Sequence, residues 1–257
     1  HSTVKSAGGI YGKGLATYNT ALSIMALVQS GKEEHLPVIA KARRLLINQQ
    51  QDYDNRGETD TLFDGGVGYG GSYAHSDLSN THFALEALYY SKKALADTEF
   101  DDSSEFDLDW DAAIEFVSRT QNSEATIERL GETAALRKDD EGGFIYFPGD
   151  TKSDVISVTG EDGKERTALR SYGSMSYAGL LSFIYADMAE DDPRIGLVMI
   201  WLQNNYTLEE NPGMDAQGLY YYYHTMSKAL AITGTQKFET GDGKKVDWKN
   251  DLALEVM

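Results

Sequence analysis

The hydrophobic and polar positions of the chain predict two kinds of helix that alternate along the sequence. Helices of the first kind are small or apolar around most of their surface, as in residues 84–88, and this pattern is typical of a helix buried on most sides. Helices of the second kind carry one apolar stripe opposite a charged face. They begin near Val38, Trp110, Pro193 and Val246. The alternation of buried and half-exposed helices predicts an all-α fold.

One short pattern recurs at the start of each buried helix. A hydroxyl residue follows a polar residue or Met at Asn19-Thr20, Asn80-Thr81, Met175-Ser176 and His224-Thr225. A small polar residue at this place is typical of an N-cap, whose oxygen accepts a hydrogen bond from a free amide of the first turn. Glycine turns precede the pattern at Gly8-Gly9, Gly65-Gly66 and Gly142-Gly143, and Asn211-Pro212-Gly213 takes the fourth place.

These patterns divide the chain into repeat units over residues 8–50, 64–121, 141–205 and 212–257. The third unit carries a polar insertion, Asp150 to Arg166, which predicts a surface loop or hairpin with a short strand at Val155–Val158. Units made of two helices can stack as a solenoid or close into a ring. The last amphipathic pattern runs up to Met257. We therefore expect residues 1–257 to form a single domain that is a fragment of a longer repeat protein.

Composition narrows the classes of function. The chain has 257 residues, 41 acidic and 23 basic side chains, a formal net charge of −18 and no cysteine. The negative field disfavours nucleic acid and other anionic partners, and no segment approaches the roughly 18 apolar residues of a membrane span. The lack of cysteine excludes disulfides and zinc sites built on thiolates. We expect a soluble protein of undecided compartment, with export as one option.

Two stretches of the chain resemble the Gln-Trp repeat of squalene and hopene cyclases, with Tyr where those enzymes usually have Trp. The first contains Leu45-Leu46, Gln49-Gln50 and Asp64-Gly65-Gly66-Val67-Gly68-Tyr69, and the second contains Phe116-Val117, Gln121 and Glu141-Gly142-Gly143-Phe144. The whole chain is similar to the superfamily of terpenoid cyclases and protein prenyltransferases. This resemblance implies an α/α toroid, that is, a partial or complete ring of inner and outer helices with short loops or hairpins inserted.

The active residues of that superfamily are only partly matched. Class II cyclases carry Asp-x-Asp-Asp-Thr at the head of an inner helix, but the matching stretch here is Asp77-Leu78-Ser79-Asn80-Thr81, which lacks the acid that protonates an alkene. Prenyltransferases bind zinc through an Asp, a Cys and a His. The residues around His224 resemble those around that His. The positions that correspond to the Asp and Cys ligands, however, lie near Tyr172 and Ser174, and neither residue is a competent partner for zinc. We therefore expect no metal and no cofactor.

In the ring that the resemblance implies, the heads of the inner helices meet at one end and line one concave site. The candidate ligand-binding residues at these heads are Tyr18, Asn19, Asn80, Tyr172, Ser174 and Tyr221. Their aromatic, amide and hydroxyl groups suit a small apolar or glycan-like ligand better than a diphosphate. Our leading hypothesis is a toroid protein that binds such a ligand in a central aromatic cavity, without the usual cyclase acid or zinc ligands.

Other classes of function stay open at this point. Asp77 and His224 could form a catalytic pair in a hydrolase, although Asp77 is also typical of a local helix cap and His224 of a side chain bonded within the fold. A squalene-hopene-type cyclase or another isoprenoid-converting enzyme could carry its acid outside these residues. A protein-interaction scaffold would have a solid or shallow centre. The sequence leaves the oligomeric state open.

Overall fold

The computed structural model describes residues 4–70 and 73–257, and for residues 73 and 74 it describes the backbone. Within these ranges the protein has nine α-helices and three antiparallel hairpins of two strands each. The helices are α1 (Ala16–Ser30), α2 (Leu36–Ile47), α3 (Leu78–Leu95), α4 (Trp110–Arg119), α5 (Glu124–Leu130), α6 (Gly173–Tyr185), α7 (Pro193–Asn204), α8 (Leu219–Ile232) and α9 (Trp248–Glu255). The strands are β1 (Gly68–Gly70), β2 (Tyr73–Ser76), β3 (Val155–Thr159), β4 (Glu165–Leu169), β5 (Phe238–Glu239) and β6 (Lys245–Val246). The predicted predominance of helix is confirmed.

Two compact units divide the chain, one ending at Val117 and the other beginning at Ser118. The first unit contains α1, α2, α3 and most of α4, and the second contains α5 to α9. In the first unit α1 packs on both α2 and α3, and in the second unit α6 packs on both α7 and α8. The single α/α toroid over residues 1–257 stays a prediction.

The most deeply buried helices are α3 and α6. Twelve of the 18 residues of α3 and 12 of the 13 residues of α6 are buried, whereas α7 buries only Val198, Trp201 and Leu202 of its 12 residues. For α3, α6 and α7 this difference agrees with the two kinds of helix predicted from the hydrophobic pattern. The first pair of helices does not follow the prediction, because α1 buries five of its 15 residues and α2 buries five of its 12. Even so, among the helices of the described ranges none combines the length and the apolar character that crossing a bilayer requires.

The glycine turn before α3 lies directly on helix α4. Gly65 has a φ of +84°, and a Cβ atom built on it would lie 1.9 Å from the carbonyl oxygen of Ala112. Only glycine fits there, because a side chain would have to occupy the place of the helix backbone. The same contact joins Gly8 to the Lys41 carbonyl of α2 and Gly142 to the Leu197 carbonyl of α7. Three turns therefore pack on three half-exposed helices in the same way.

The repeated hydroxyl residues hold these turns from the other side. In each case the hydroxyl accepts a hydrogen bond from the amide of the residue that follows the two glycines. The pairs are Ile10 N–H to Thr20 at 3.0 Å, Val67 N–H to Thr81 at 2.9 Å and Phe144 N–H to Ser176 at 3.0 Å. The prediction that the small polar start of each buried helix supplies an N-cap holds for Asp77 of α3, but these three hydroxyl residues are not N-caps. They lie inside their helices and bind a segment 10 to 32 residues earlier in the chain.

Two glutamine side chains, Gln50 and Gln121, each join one glycine turn to the half-exposed helix on which that turn packs. Gln50 donates from Nε2 to the Gly65 carbonyl at 3.0 Å and to the Asp109 carbonyl at 2.8 Å, and it accepts from the Asp109 amide at 3.0 Å. Gln121 likewise donates to the Gly142 carbonyl at 3.0 Å and to the Arg194 carbonyl at 2.9 Å. Both glutamines belong to the stretches that resemble the Gln-Trp repeat.

The fourth buried helix, α8, departs from this arrangement. Its hydroxyl residue Thr225 donates to carbonyls of its own helix, those of Tyr221 at 3.0 Å and Tyr222 at 3.1 Å. The turn that precedes it, with Asn211, contacts the start of α6 instead. The contacts of the glycine turn and the hydroxyl residue are therefore shared by the first three repeat units.

The insertions between turn and buried helix are short antiparallel hairpins. Strands β3 and β4 pair over five residues each, from Val155 opposite Leu169 to Thr159 opposite Glu165. The hairpin expected in Asp150–Arg166 is therefore present and reaches Leu169. Helix α5 was not predicted, because its seven residues are too few to show a helical period.

Candidate ligand-binding site

At the head of α3, Asp77 acts as the N-cap. Its Oδ1 accepts a hydrogen bond from the Asn80 amide at 2.9 Å, and its Oδ2 accepts one from Asn80 Nδ2 at 2.8 Å. Both residues are buried, with 0% of Asp77 and 2% of Asn80 exposed. A carboxylate at this place stabilises the helix through its free amides and its dipole. Local capping thus accounts for the position of Asp77.

At the head of α1, Tyr18 and Asn19 are half-exposed. The Tyr18 ring meets the Phe83 ring of α3 edge-on, with centroids 4.7 Å apart and planes at 78°. Helix α1 has no side-chain cap, since its N-cap is Leu15 in the left-handed conformation. In the first unit the structure therefore brings Tyr18 next to the helix that carries Asp77 and Asn80.

At the head of α6, the predicted residues are part of the interior. Tyr172 and Ser174 are buried, and the Ser174 amide donates to Asn211 Oδ1 at 2.9 Å. Asn211 Nδ2 in turn donates to Ser174 Oγ at 3.1 Å and to the Gln217 carbonyl at 2.9 Å. The start of α6 is thus capped by a side chain from 37 residues later, and sequence reasoning assigned Asn211 only to a turn.

At the head of α8, four consecutive tyrosines divide between the interior and the surface. Tyr222 and Tyr223 are buried and donate their hydroxyls to the carbonyls of Thr207 and Leu208. Tyr221 is half-exposed, and Tyr220 is 80% exposed. This division follows from the helix, because four neighbouring residues point around its whole circumference.

His224 is exposed on α8. Asp77 belongs to the unit that ends at Val117, and His224 belongs to the unit that begins at Ser118. The catalytic pairing of Asp77 with His224 stays a prediction, as does a cavity shared by both units.

A separate pocket of about 410 Å³ lies within the first unit, at the turn around Asp64 and Gly65. The charged residues of its wall are mostly acidic: Asp52, Glu58, Asp64, Asp107 and Asp109, with Arg56 as the basic member. Sequence reasoning missed this pocket, because residues 52–64 have no hydrophobic period that would place them.

Four of the five carboxylates of the acidic pocket already accept hydrogen bonds within the fold, namely those of Asp52, Asp64, Asp107 and Asp109. Burial alone would raise the pKa of Asp64, but hydrogen bonds from the amides of Tyr53 and Thr61 outweigh burial and lower that pKa. Burial would likewise raise the pKa of Asp107, yet the hydrogen bond from Lys92 and the charge of Arg43 lower it. Within the described ranges, no group of three or more His, Asp or Glu side chains is placed to hold a metal ion.

Comparisons with protein-family models, with curated proteins and with solved structures gave no match. The relation to the terpenoid cyclase superfamily therefore rests on the resemblance in sequence alone, and it stays a prediction.

Proposed function

We propose that the chain is an α/α-toroid protein related to the terpenoid cyclases and prenyltransferases, and that it binds a neutral ligand at the heads of its inner helices. The contacts shared by the first three repeat units support a repeat that turns about one axis. In each unit a glycine lies on the outer helix and a hydroxyl of the inner helix holds the same turn. Rigid-body repetition of one unit is how toroids and solenoids are built.

The hydrogen bonds and the burial of Asp77 favour ligand binding over acid catalysis as the function. Its two carboxylate oxygens are both occupied by Asn80, and the residue is fully buried. A general acid must reach the atom that it protonates, within about 3 Å in a productive complex. Asp77 is instead committed to holding the first turn of α3.

The accessible residues at the helix heads indicate the class of ligand. Tyr18, Asn19 and Tyr221 offer aromatic, amide and phenol groups without a formal charge. Aromatic faces pack on apolar groups and on the C–H faces of sugars, and amides and phenols bind hydroxyls. The net charge of −18 disfavours a diphosphate. An apolar or glycan-like ligand fits these groups best.

A binding titration with matched variants tests this proposal. Calorimetry with a long-chain isoprenoid alcohol and with neutral oligosaccharides should detect one class of ligand. Tyr221→Ala and Asn19→Ala should each weaken its binding about tenfold, which corresponds to about 1.4 kcal/mol. Tyr220→Ala is the control, since Tyr220 adjoins Tyr221 and lies outside the predicted site. If neither class binds, or if all three variants bind equally, the proposal is wrong.

A further inference from the structure

Strand β3 is the outer strand of a small sheet in the compact unit that begins at Ser118. It pairs on one side with β4, in a regular antiparallel register over all five residues. The far side of β4 is covered, because the Thr167 amide donates to the Thr133 carbonyl at 2.8 Å and the Ala135 amide donates to the Thr167 carbonyl at 2.9 Å. Residues 133–135 therefore protect one edge of this sheet, and β3 forms the other edge.

The outer side of β3 carries three residues whose backbone groups point away from β4. The Asp154 carbonyl and the Gly160 amide, just before and just after the strand, bond to backbone groups that flank β4, at 3.1 and 2.9 Å. Backbone groups of an antiparallel strand point alternately toward and away from the paired strand, so Val155, Ser157 and Thr159 direct theirs away from β4. None of these six amides and carbonyls has a hydrogen-bond partner among the described residues. Such an open row is a template for another strand.

The side chains of β3 favour strand pairing and offer no protection against it. All three outward residues are exposed, with 58% of Val155 accessible. The sequence of the strand is Val-Ile-Ser-Val-Thr, in which four of the five residues are β-branched and none is charged or proline. Natural proteins usually block an open edge with lysine, proline or a bulge. Strand β3 has neither of these residues, and its pairing with β4 has no bulge.

We propose that β3 pairs antiparallel with β3 of a second copy of this chain, about a twofold axis at Ser157. In this register Ser157 lies opposite Ser157 of the second copy, Val155 lies opposite Thr159, and Ile156 lies opposite Val158. The strand is therefore complementary to itself, and the open amides and carbonyls of each copy all find partners in the other. This inference is independent of the proposed function.

The charges around β3 allow this register. Between residues 154 and 160 only Asp154 is charged, and it lies opposite the uncharged Gly160 of the second copy, so no like charges face each other. Further out, the register directs Lys152 toward Asp162 of the second copy, which carries the opposite charge. The net charge of −18 opposes association at long range, but salt screens that repulsion. Because one five-residue strand is a small interface, we expect a monomer–dimer equilibrium that shifts toward the dimer as salt is added.

Single cysteine variants test the register, because the chain has no cysteine of its own. In Ser157→Cys the two new thiols face each other across the axis, with Cα atoms about 5.5 Å apart, which is within disulfide reach. Thr159→Cys is the matched control, since both hydroxyls lie on the same exposed face and bind Glu165. Its two thiols are four residues out of register, about 14 Å apart. Under mild oxidation Ser157→Cys should become mostly a covalent dimer of twice 28.4 kDa, and Thr159→Cys should stay monomeric.

Sedimentation velocity measures the same equilibrium without a crosslink. The average mass of the wild type should rise with protein concentration, and rise again between about 0.05 and 0.5 M NaCl. Ser157→Pro removes an amide that β4 does not use, so it should keep the wild-type circular dichroism and stay at the monomer mass. A wild type that is monomeric up to about 1 mM in both salts would overturn the proposal. Equal crosslinking of Ser157→Cys and Thr159→Cys would overturn it as well, and this comparison does not depend on the folding of the proline variant.

Discussion

The hydroxyl of Thr81 holds the glycine turn of the second repeat unit, and Thr81→Val removes that hydroxyl while nearly keeping the shape of the side chain. Thr81 Oγ1 accepts from the Val67 amide at 2.9 Å and donates to the Val67 carbonyl at 3.2 Å. Both residues are fully buried, so solvent cannot replace the lost partner. The substitution therefore tests whether the repeated hydroxyls stabilise the repeated turns.

The expected cost follows from which group is left without a partner. The Val67 carbonyl keeps a hydrogen bond from the Asp77 amide at 3.2 Å, so the loss falls on the Val67 amide. A buried donor without an acceptor costs about 1–3 kcal/mol. We expect the free energy of unfolding to fall by about 2 kcal/mol, which lowers the Tm of a chain of this length by about 4–8 °C. Urea denaturation followed by circular dichroism measures the first value, and calorimetry measures the second.

Thr225→Val is the matched control for this experiment. Thr225 is equally buried, but its hydroxyl donates only to carbonyls of its own helix, at 3.0 and 3.1 Å. Those carbonyls lie in the helix and the change leaves no amide unpaired, so we expect a loss under about 1 kcal/mol. Equal losses for Thr81→Val and Thr225→Val would refute the argument that the hydroxyl holds the turn.

Three further predictions concern other contacts. Gly65→Ala should cost roughly 3 kcal/mol or more in urea denaturation, because its Cβ would lie 1.9 Å from the Ala112 carbonyl, whereas Gly57→Ala, with a positive φ and open space around it, should cost about 1 kcal/mol. Asp107→Asn should make the free energy of unfolding fall less steeply as the pH is lowered. The pKa of Asp107 is lowered in the folded protein, so its carboxylate adds stability that is complete above about pH 3.9 and is lost as the pH falls through the folded pKa. Measuring the free energy of unfolding as a function of pH tests this. Asp77→Ala should lower the free energy of unfolding by about 2 kcal/mol or more, because the buried Asn80 amide and Asn80 Nδ2 both lose their acceptor. It should leave ligand affinity within about twofold in calorimetry, whereas a complete loss of binding would assign Asp77 to the site.

Hydrophobic periodicity predicted the helices well, because the spacing of apolar residues that produces a buried face is visible within a short stretch of sequence. The predicted starts at Trp110 and Pro193 are the first residues of α4 and α7, and the start near Val246 is two residues before α9. The glycine pairs were also recognised as turns. Their role as packing surfaces depends on helices that lie 33 to 55 residues further along the chain, so no local pattern could reveal it.

The structural roles of the polar residues were also harder to predict, because their partners lie far away in the sequence. Thr20, Thr81 and Ser176 resemble N-caps by position, yet their partners are distant turn amides. Ser174 was assigned to the ligand site, but a distant Asn211 side chain pairs with it. A short polar side chain near a helix start can bind locally or across the fold, and only the tertiary structure decides between the two.

The proposed ring requires the buried helices to turn about one axis, so that the heads of α1 and α8 would approach each other. The chain has no cysteine, so Leu15→Cys and Tyr220→Cys can carry two spin labels at exposed positions beside the starts of these helices. With neighbouring helices about 10 Å apart, three steps around a closed ring bring the heads within about 20 Å, whereas three steps along a straight stack separate them by about 30 Å. The account predicts a single distance distribution centred near 20 Å or below by pulsed electron paramagnetic resonance. A distribution centred at 30 Å or beyond would contradict it.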